Sequence, residues 1–280
     1  MQNKKPAIAF LVITFGVSWS ATGFAWFSGA RSFVEAGIST LIYDFGPAFS
    51  AIICSANFNK GEKINALGVR GKVNLWWLAA LLLPVFITVL SIGITILLSG
   101  YGALGLEALA GKLAEIKNQH FASPISFLAV YILVQLAVLT VMALPEELGW
   151  RGYLYTCWRF LGFWRYSFVV GLLWGLWHWP IIYLFGLNFP EHRELGLVWF
   201  PIYTMAFSPL MTLFRDRGVS IWPAVILHGA SNAFFPLALH ISEAPEFPWF
   251  MGSFTAALII FACLILCGQR SSKFRAVFSC

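Results

Sequence analysis

Glu146, Glu147, Arg151, His178, His228 and Asn232 all lie in or beside long apolar segments of this chain. Charge placed in hydrocarbon is expensive, so such residues persist mainly where they pair, line a wet cavity or do chemistry. Their spacing sorts them. Glu147 and Arg151 are four residues apart and share a helix face, whereas Glu146 sits about 100° round from Glu147. An ion pair between Glu147 and Arg151 would leave Glu146 free to point elsewhere. Trp174 and His178 are likewise four apart, and so are His228 and Asn232, with only small residues between them.

Two chemistries suit this set. A carboxylate and an imidazole can hold and deprotonate one water, while a second imidazole and a side-chain amide donate hydrogen bonds to the oxyanion formed when that water attacks a carbonyl. Glu146, His178 and His228 also have the ligand types of a two-histidine, one-carboxylate zinc site with an open position for water. The residues alone do not separate the two. Bland readings compete with both. Pro145-Glu146-Glu147 reads as a helix start, with proline at the first turn and acids favoured by the macrodipole; its place in an apolar span weighs against that. His178 among tryptophans could be a packed core histidine, were it not accompanied by the other groups. Other hydrolytic signatures are missing: the sequence has no HExxH, no Gly-x-Ser-Gly, and just two aspartates, Asp44 and Asp216, neither in a Gly-x-Gly-Asp setting.

The elements that must position these groups are membrane spans. The chain has 280 residues, of which 59% are hydrophobic and 11% charged, with a mean hydropathy of +0.78. That balance belongs to a polytopic membrane protein, an all-α helical bundle, and not to a soluble domain. Stretches long enough to cross roughly 30 Å of hydrocarbon run from about Pro6 to Phe27, Ile38 to Phe58, Leu75 to Ser99, Ser123 to Leu144, Tyr166 to Leu187, Leu195 to Phe214, Ser220 to Ile241 and Phe247 to Cys267. Eight spans are expected, forming one membrane domain over residues 1–280. With the N-terminus inside, only Arg31, Lys112, Lys117 and Arg193 of the 18 basic residues fall on the outer side, so the positive-inside rule puts both termini in the cytoplasm. The net charge of +6 then reads as topology and attraction to anionic lipid headgroups, and no basic cluster interleaved with aromatics points to nucleic acid.

Lesser features fit the same picture. The apolar run after Lys4 and Lys5 is longer than a signal-peptide core, which predicts an uncleaved first helix. Leu104 to Ile116 alternates charged and apolar residues and is expected to lie on the membrane surface. Cys54, Cys157, Cys263, Cys267 and Cys280 form no CxxC pair, so neither a disulfide nor a thiolate metal site is expected. Gly171 and Gly175 offer a small-xxx-small surface to another helix. Pro180 should bend its helix beside His178 and free the Leu176 carbonyl.

Together the motifs resemble those of the CPBP intramembrane proteases, which include type II CAAX prenyl proteases and the bacterial bacteriocin-processing and immunity proteins called Abi. The family's Glu-Glu-xxx-Arg is matched by Glu146, Glu147 and Arg151, its aromatic-xxx-His by Trp174 and His178, and its His-xxx-Asn by His228 and Asn232. The resemblance covers about Ser123 to Ile241, and the one departure is Trp174, where phenylalanine is common. It implies Glu146 as the water-activating base assisted by His178, with His228 and Asn232 stabilising the oxyanion and Glu147, Arg151 and Trp174 in support. It implies a membrane-proximal or lipidated protein or peptide as substrate, in a bacterial-type plasma membrane. The glutamate-activated water needs no cofactor; zinc or another divalent metal on Glu146, His178 and His228 is the alternative. A non-catalytic immunity or membrane-binding protein on the same scaffold, and a proton-coupled transporter relaying protons through Glu146 and His178, are the rival classes. The second is weakened by the lack of matched broken helices.

Overall fold

A computed structural model describes residues 5–59, 63–99 and 124–242. Every regular element among them is helical: α1 (Lys5–Phe27), α2 (Ile38–Phe58), the short α3 (Lys63–Ala66), α4 (Leu75–Ser99) and α5 (Pro124–Glu147), then a π-helical stretch (Leu148–Leu154), a single turn α6 (Tyr155–Trp158) and a 3₁₀ turn (Arg159–Leu161). The chain continues through α7 (Phe163–Trp177), α8 (Trp179–Phe185), α9 (Arg193–Gly218) and α10 (Trp222–Ser242). In hydrocarbon every backbone polar group must be satisfied internally, which favours helices wherever the side chains are this apolar.

Five segments among the described residues are long and apolar enough to cross a membrane: Lys5–Phe27, Ile38–Phe58, Ile132–Leu161, Phe163–Phe185 and Arg193–Gly218. The helices α4 and α10 occupy two further predicted spans. The eighth predicted span, Phe247 to Cys267, and the predicted surface helix, Leu104 to Ile116, lie outside the described residues.

Burial follows the logic of a lipid-facing bundle. Large apolar side chains such as Phe24, Val89, Leu133 and Val141 point outward, while small hydroxyls such as Thr14, Ser18, Ser50, Thr204 and Thr212 are buried between helices. Many of those hydroxyls bond back to the preceding turn, as Ser50 Oγ does to the Gly46 carbonyl at 2.8 Å and Thr212 Oγ1 to Ser208 at 2.9 Å. Others cross between helices, as Ser18 Oγ does to the Tyr43 carbonyl at 2.8 Å. Without a hydrophobic driving force between helices, close packing of small residues is what associates them.

That packing sets the frame for the polar residues. The helix α1 runs along α2, α7 along α9, and α10 against both α4 and α5. The Gly171–Gly175 surface is used as expected: a Cβ on Gly171 would lie 2.7 Å from Met205 Cα, and one on Gly175 would collide with Pro201 Cα. In the same way Gly229 of α10 meets the Thr140 backbone of α5.

Two local irregularities lie beside the polar residues. The sequence suggested that a helix restarts at Pro145; instead α5 runs through Pro145 to Glu147, and the irregularity follows the acids as the π-helical stretch. A proline removes one backbone hydrogen bond, which a long membrane helix can absorb. The wider turn falls where Gly149 touches Pro47 of α2 and Gly152 touches the Leu67 carbonyl, so close approach of the neighbours accompanies the change of pitch. The second irregularity separates α7 from α8 at His178, two residues before Pro180. The carbonyl that takes donors from other helices there is that of Trp177, bonded by Trp19 Nε1 at 3.0 Å and Tyr43 Oη at 3.3 Å.

Candidate active site

Glu147 is fully buried, and its Oε1 accepts from Arg151 Nη1 at 3.2 Å and from His228 Nδ1 at 2.9 Å. The first contact is the ion pair expected from spacing along one helix. The second joins α5 to α10 and was not legible in the spacing. Arg151, also fully buried, adds a bond from Nη2 to Ser208 Oγ of α9 at 3.2 Å and lies 4.6 Å above the Trp174 ring of α7. One ion pair thus joins five helical segments: α5, the π-helical stretch, α7, α9 and α10. Arg215 Nε, bonded to the Arg151 carbonyl at 2.9 Å, ties the π-helical stretch to the end of α9.

Glu146, one residue earlier, points away from this pair. Its Oε2 accepts from Trp174 Nε1 at 2.6 Å, and the residue keeps 7% of its surface exposed, where Glu147 and Arg151 have none. His178 and His228 retain similar slivers, 7% and 5%. The three groups suited to touching water or a substrate are therefore the ones left slightly open, while the ion pair is sealed. Trp174 stands among them: its ring meets His228 edge-on at 5.2 Å between centroids and His178 at 6.0 Å.

The hydrogen bonds assign the imidazoles. His178 Nδ1 lies 2.8 Å from the Trp174 carbonyl; a carbonyl only accepts, so Nδ1 carries a proton and Nε2 holds a lone pair when the ring is neutral. The ring is wedged between Trp177, at 4.7 Å, and Phe200 of α9, at 4.6 Å. His228 Nδ1 faces the Glu147 carboxylate, so it too donates, and Nε2 is the nitrogen left for other partners. Fixing one nitrogen on a protein acceptor is how a fold sets the tautomer and aim of a working histidine.

Of the seven residues singled out in the sequence, Glu146, Glu147, Arg151, Trp174, His178 and His228 meet in this network. Asn232 lies one turn beyond His228 on α10 and its side chain is exposed. Sequence reasoning missed Ser208, Tyr43, Trp19, Phe200 and Arg215. They belong to no motif, and a buried serine in an apolar helix carries no local sign of its partner. Among the described residues, no three His, Cys, Asp or Glu side chains gather in a way that could hold one metal ion.

None of the curated proteins matches the chain. The family model for Rce1-like proteins, described as type II CAAX prenyl endopeptidases, matches residues 127–234, a segment that contains all seven of these residues. Helices of membrane-spanning length and apolarity, together with that match, make the chain an integral membrane protein. The region that carries the buried network, residues 127–234, is thus similar to the Rce1-like type II CAAX prenyl endopeptidases.

Proposed function

We propose that this chain is an intramembrane endopeptidase that cleaves a membrane-associated protein or peptide, with a prenylated C-terminal CAAX-type sequence as the substrate class. In this reading Glu146 takes a proton from a bound water while the Nε2 lone pair of neutral His178 accepts its other hydrogen, aiming the oxygen. The hydroxide attacks the scissile carbonyl carbon, and the carbonyl electron pair moves onto oxygen. His228 Nε2 and the Asn232 amide donate to that oxyanion. For Nε2 to donate while Nδ1 donates to Glu147, His228 must carry both protons, with Glu147 as its counter-charge. Collapse of the intermediate restores the carbonyl and expels the amine, which takes the proton held by Glu146.

The observation that supports the reading is that Glu146 of α5, His178 at the α7–α8 junction and His228 of α10 all contact Trp174, each slightly open and each with one polar atom already fixed by the protein. A hydrolytic site needs that preorganisation, since groups held in place need not reorganise as charge develops. The reading routes no step through a metal.

The test uses purified protein in liposomes and a quenched fluorescent peptide ending in a farnesylated CAAX-type sequence. Glu146→Gln and His178→Ala should each lower kcat by about 100-fold or more, the range expected for a lost general base. Cleavage at native rate in both would overturn the assignment. Activity lost to a chelator and restored by zinc would replace the water-only chemistry with the metal alternative.

A further inference from the structure

Resting on that reading, we propose that the indole N–H of Trp174 is the donor that orients the Glu146 carboxylate, which makes Trp174 a positioning residue and not only a packing aromatic. The tryptophans of this chain do not all use their N–H in one way. Trp19, Trp179 and Trp222 donate to backbone carbonyls at 3.0, 2.8 and 2.9 Å. Trp174 instead donates to a carboxylate, at 2.6 Å, shorter than any of those three, as a charged acceptor shortens a hydrogen bond.

The ring that carries this donor is held from several sides. Arg151 sits over one face, Phe207 packs beside it at 6.5 Å, and His228 presses edge-on at 5.2 Å. The residue is 4% exposed, so the indole has little freedom to swing. Its own carbonyl, meanwhile, holds His178 Nδ1. One residue therefore touches the base through its side chain, one histidine through its backbone and the other through its ring.

The consequence concerns which oxygen of Glu146 works. A glutamate carboxylate ends a flexible side chain, and without a donor it can turn either oxygen, or neither, toward a water. With Oε2 occupied by the indole, Oε1 is the oxygen left to take the proton. Phenylalanine at this position would keep an aromatic ring under Arg151 and beside the histidines, and would lose the donor.

The test compares Trp174→Phe with replacement of Trp174 by benzothienylalanine, which keeps the indole shape and has sulfur in place of N–H. On the farnesylated peptide in liposomes, both should lower kcat about 10- to 100-fold with KM unchanged, as expected for a misaimed base whose substrate binding is intact. Native kcat in the benzothienylalanine protein would overturn the proposal, since packing alone would then suffice; so would a change confined to KM. A second readout needs no substrate: the indole ¹⁵N–¹H signal that vanishes in Trp174→Phe should shift in Glu146→Ala, and an unmoved signal would overturn the proposal. Full cleavage by Glu146→Gln would overturn the underlying function instead, which keeps the two failures apart.

Discussion

Replacing Glu147 with leucine removes the one carboxylate oxygen that both Arg151 and His228 use, at 3.2 and 2.9 Å. Both members of the ion pair are fully buried, so the variant leaves a guanidinium without its counter-charge in a dry bundle. Breaking a buried pair by deleting one partner costs about 3–5 kcal/mol, well above the roughly 0–1 kcal/mol of a surface pair. The remaining bond from Arg151 to Ser208 and its seat over Trp174 offset part of this, which points to the lower end, about 3 kcal/mol. The assay is reversible unfolding in mixed micelles, read by tryptophan fluorescence, on Glu147→Leu, Arg151→Met and the double variant. Apolar replacement of a whole buried pair is often neutral, so the double variant should regain most of the stability lost in Glu147→Leu. It should not regain cleavage, because His228 still lacks its acceptor. A loss below about 1 kcal/mol in Glu147→Leu, or additive losses in the double variant, would refute the reasoning, since coupled partners must give a non-additive cycle.

Three further outcomes follow from the same geometry. Tyr43→Phe removes one of the two donors on the Trp177 carbonyl while keeping the stacked ring at 4.2 Å; it should cost about 1 kcal/mol, and with Trp19→Phe added, thermal unfolding should show a loss larger than the sum. Gly175→Val drives a side chain into Pro201 and Thr204 of α9; the overpacking should cost at least about 1–3 kcal/mol, lowering the unfolding temperature, whereas the same change at Gly16, where a Cβ meets nothing, should be silent. Asn232→Ala should leave the unfolding temperature unchanged, because the side chain is exposed, yet lower kcat by about 10²–10³ on the farnesylated peptide if the amide stabilises an oxyanion.

How much was legible in the sequence differed by length scale. Helix class and most span boundaries could be read from it, because hydrocarbon tolerates few backbone arrangements and the apolar runs carry their own length. The Glu147–Arg151 pair and the Gly171–Gly175 surface could be read as well, since neighbours along one helix follow from 3.6 residues per turn. The position of the π-helical stretch that follows Glu147 could not. A proline states that one bond is missing, while the wider turn sits where Gly149 and Gly152 admit Pro47 and Leu67, which are remote in sequence.

What the sequence by itself determined about this protein is therefore a membrane helical bundle and three polar motifs in separate apolar segments, with residue types that suit hydrolysis. The tertiary structure decided who faces whom. It set His228 on Glu147, the Trp174 N–H on Glu146, Ser208 on Arg151 and two N-terminal helices on the carbonyl beside His178. Partners across helices depend on the rotation and register of each helix against its neighbours. Those are fixed by small-residue contacts such as Gly175 against Pro201 and Gly229 against Thr140, because the outward apolar faces meet lipid equally well at many rotations.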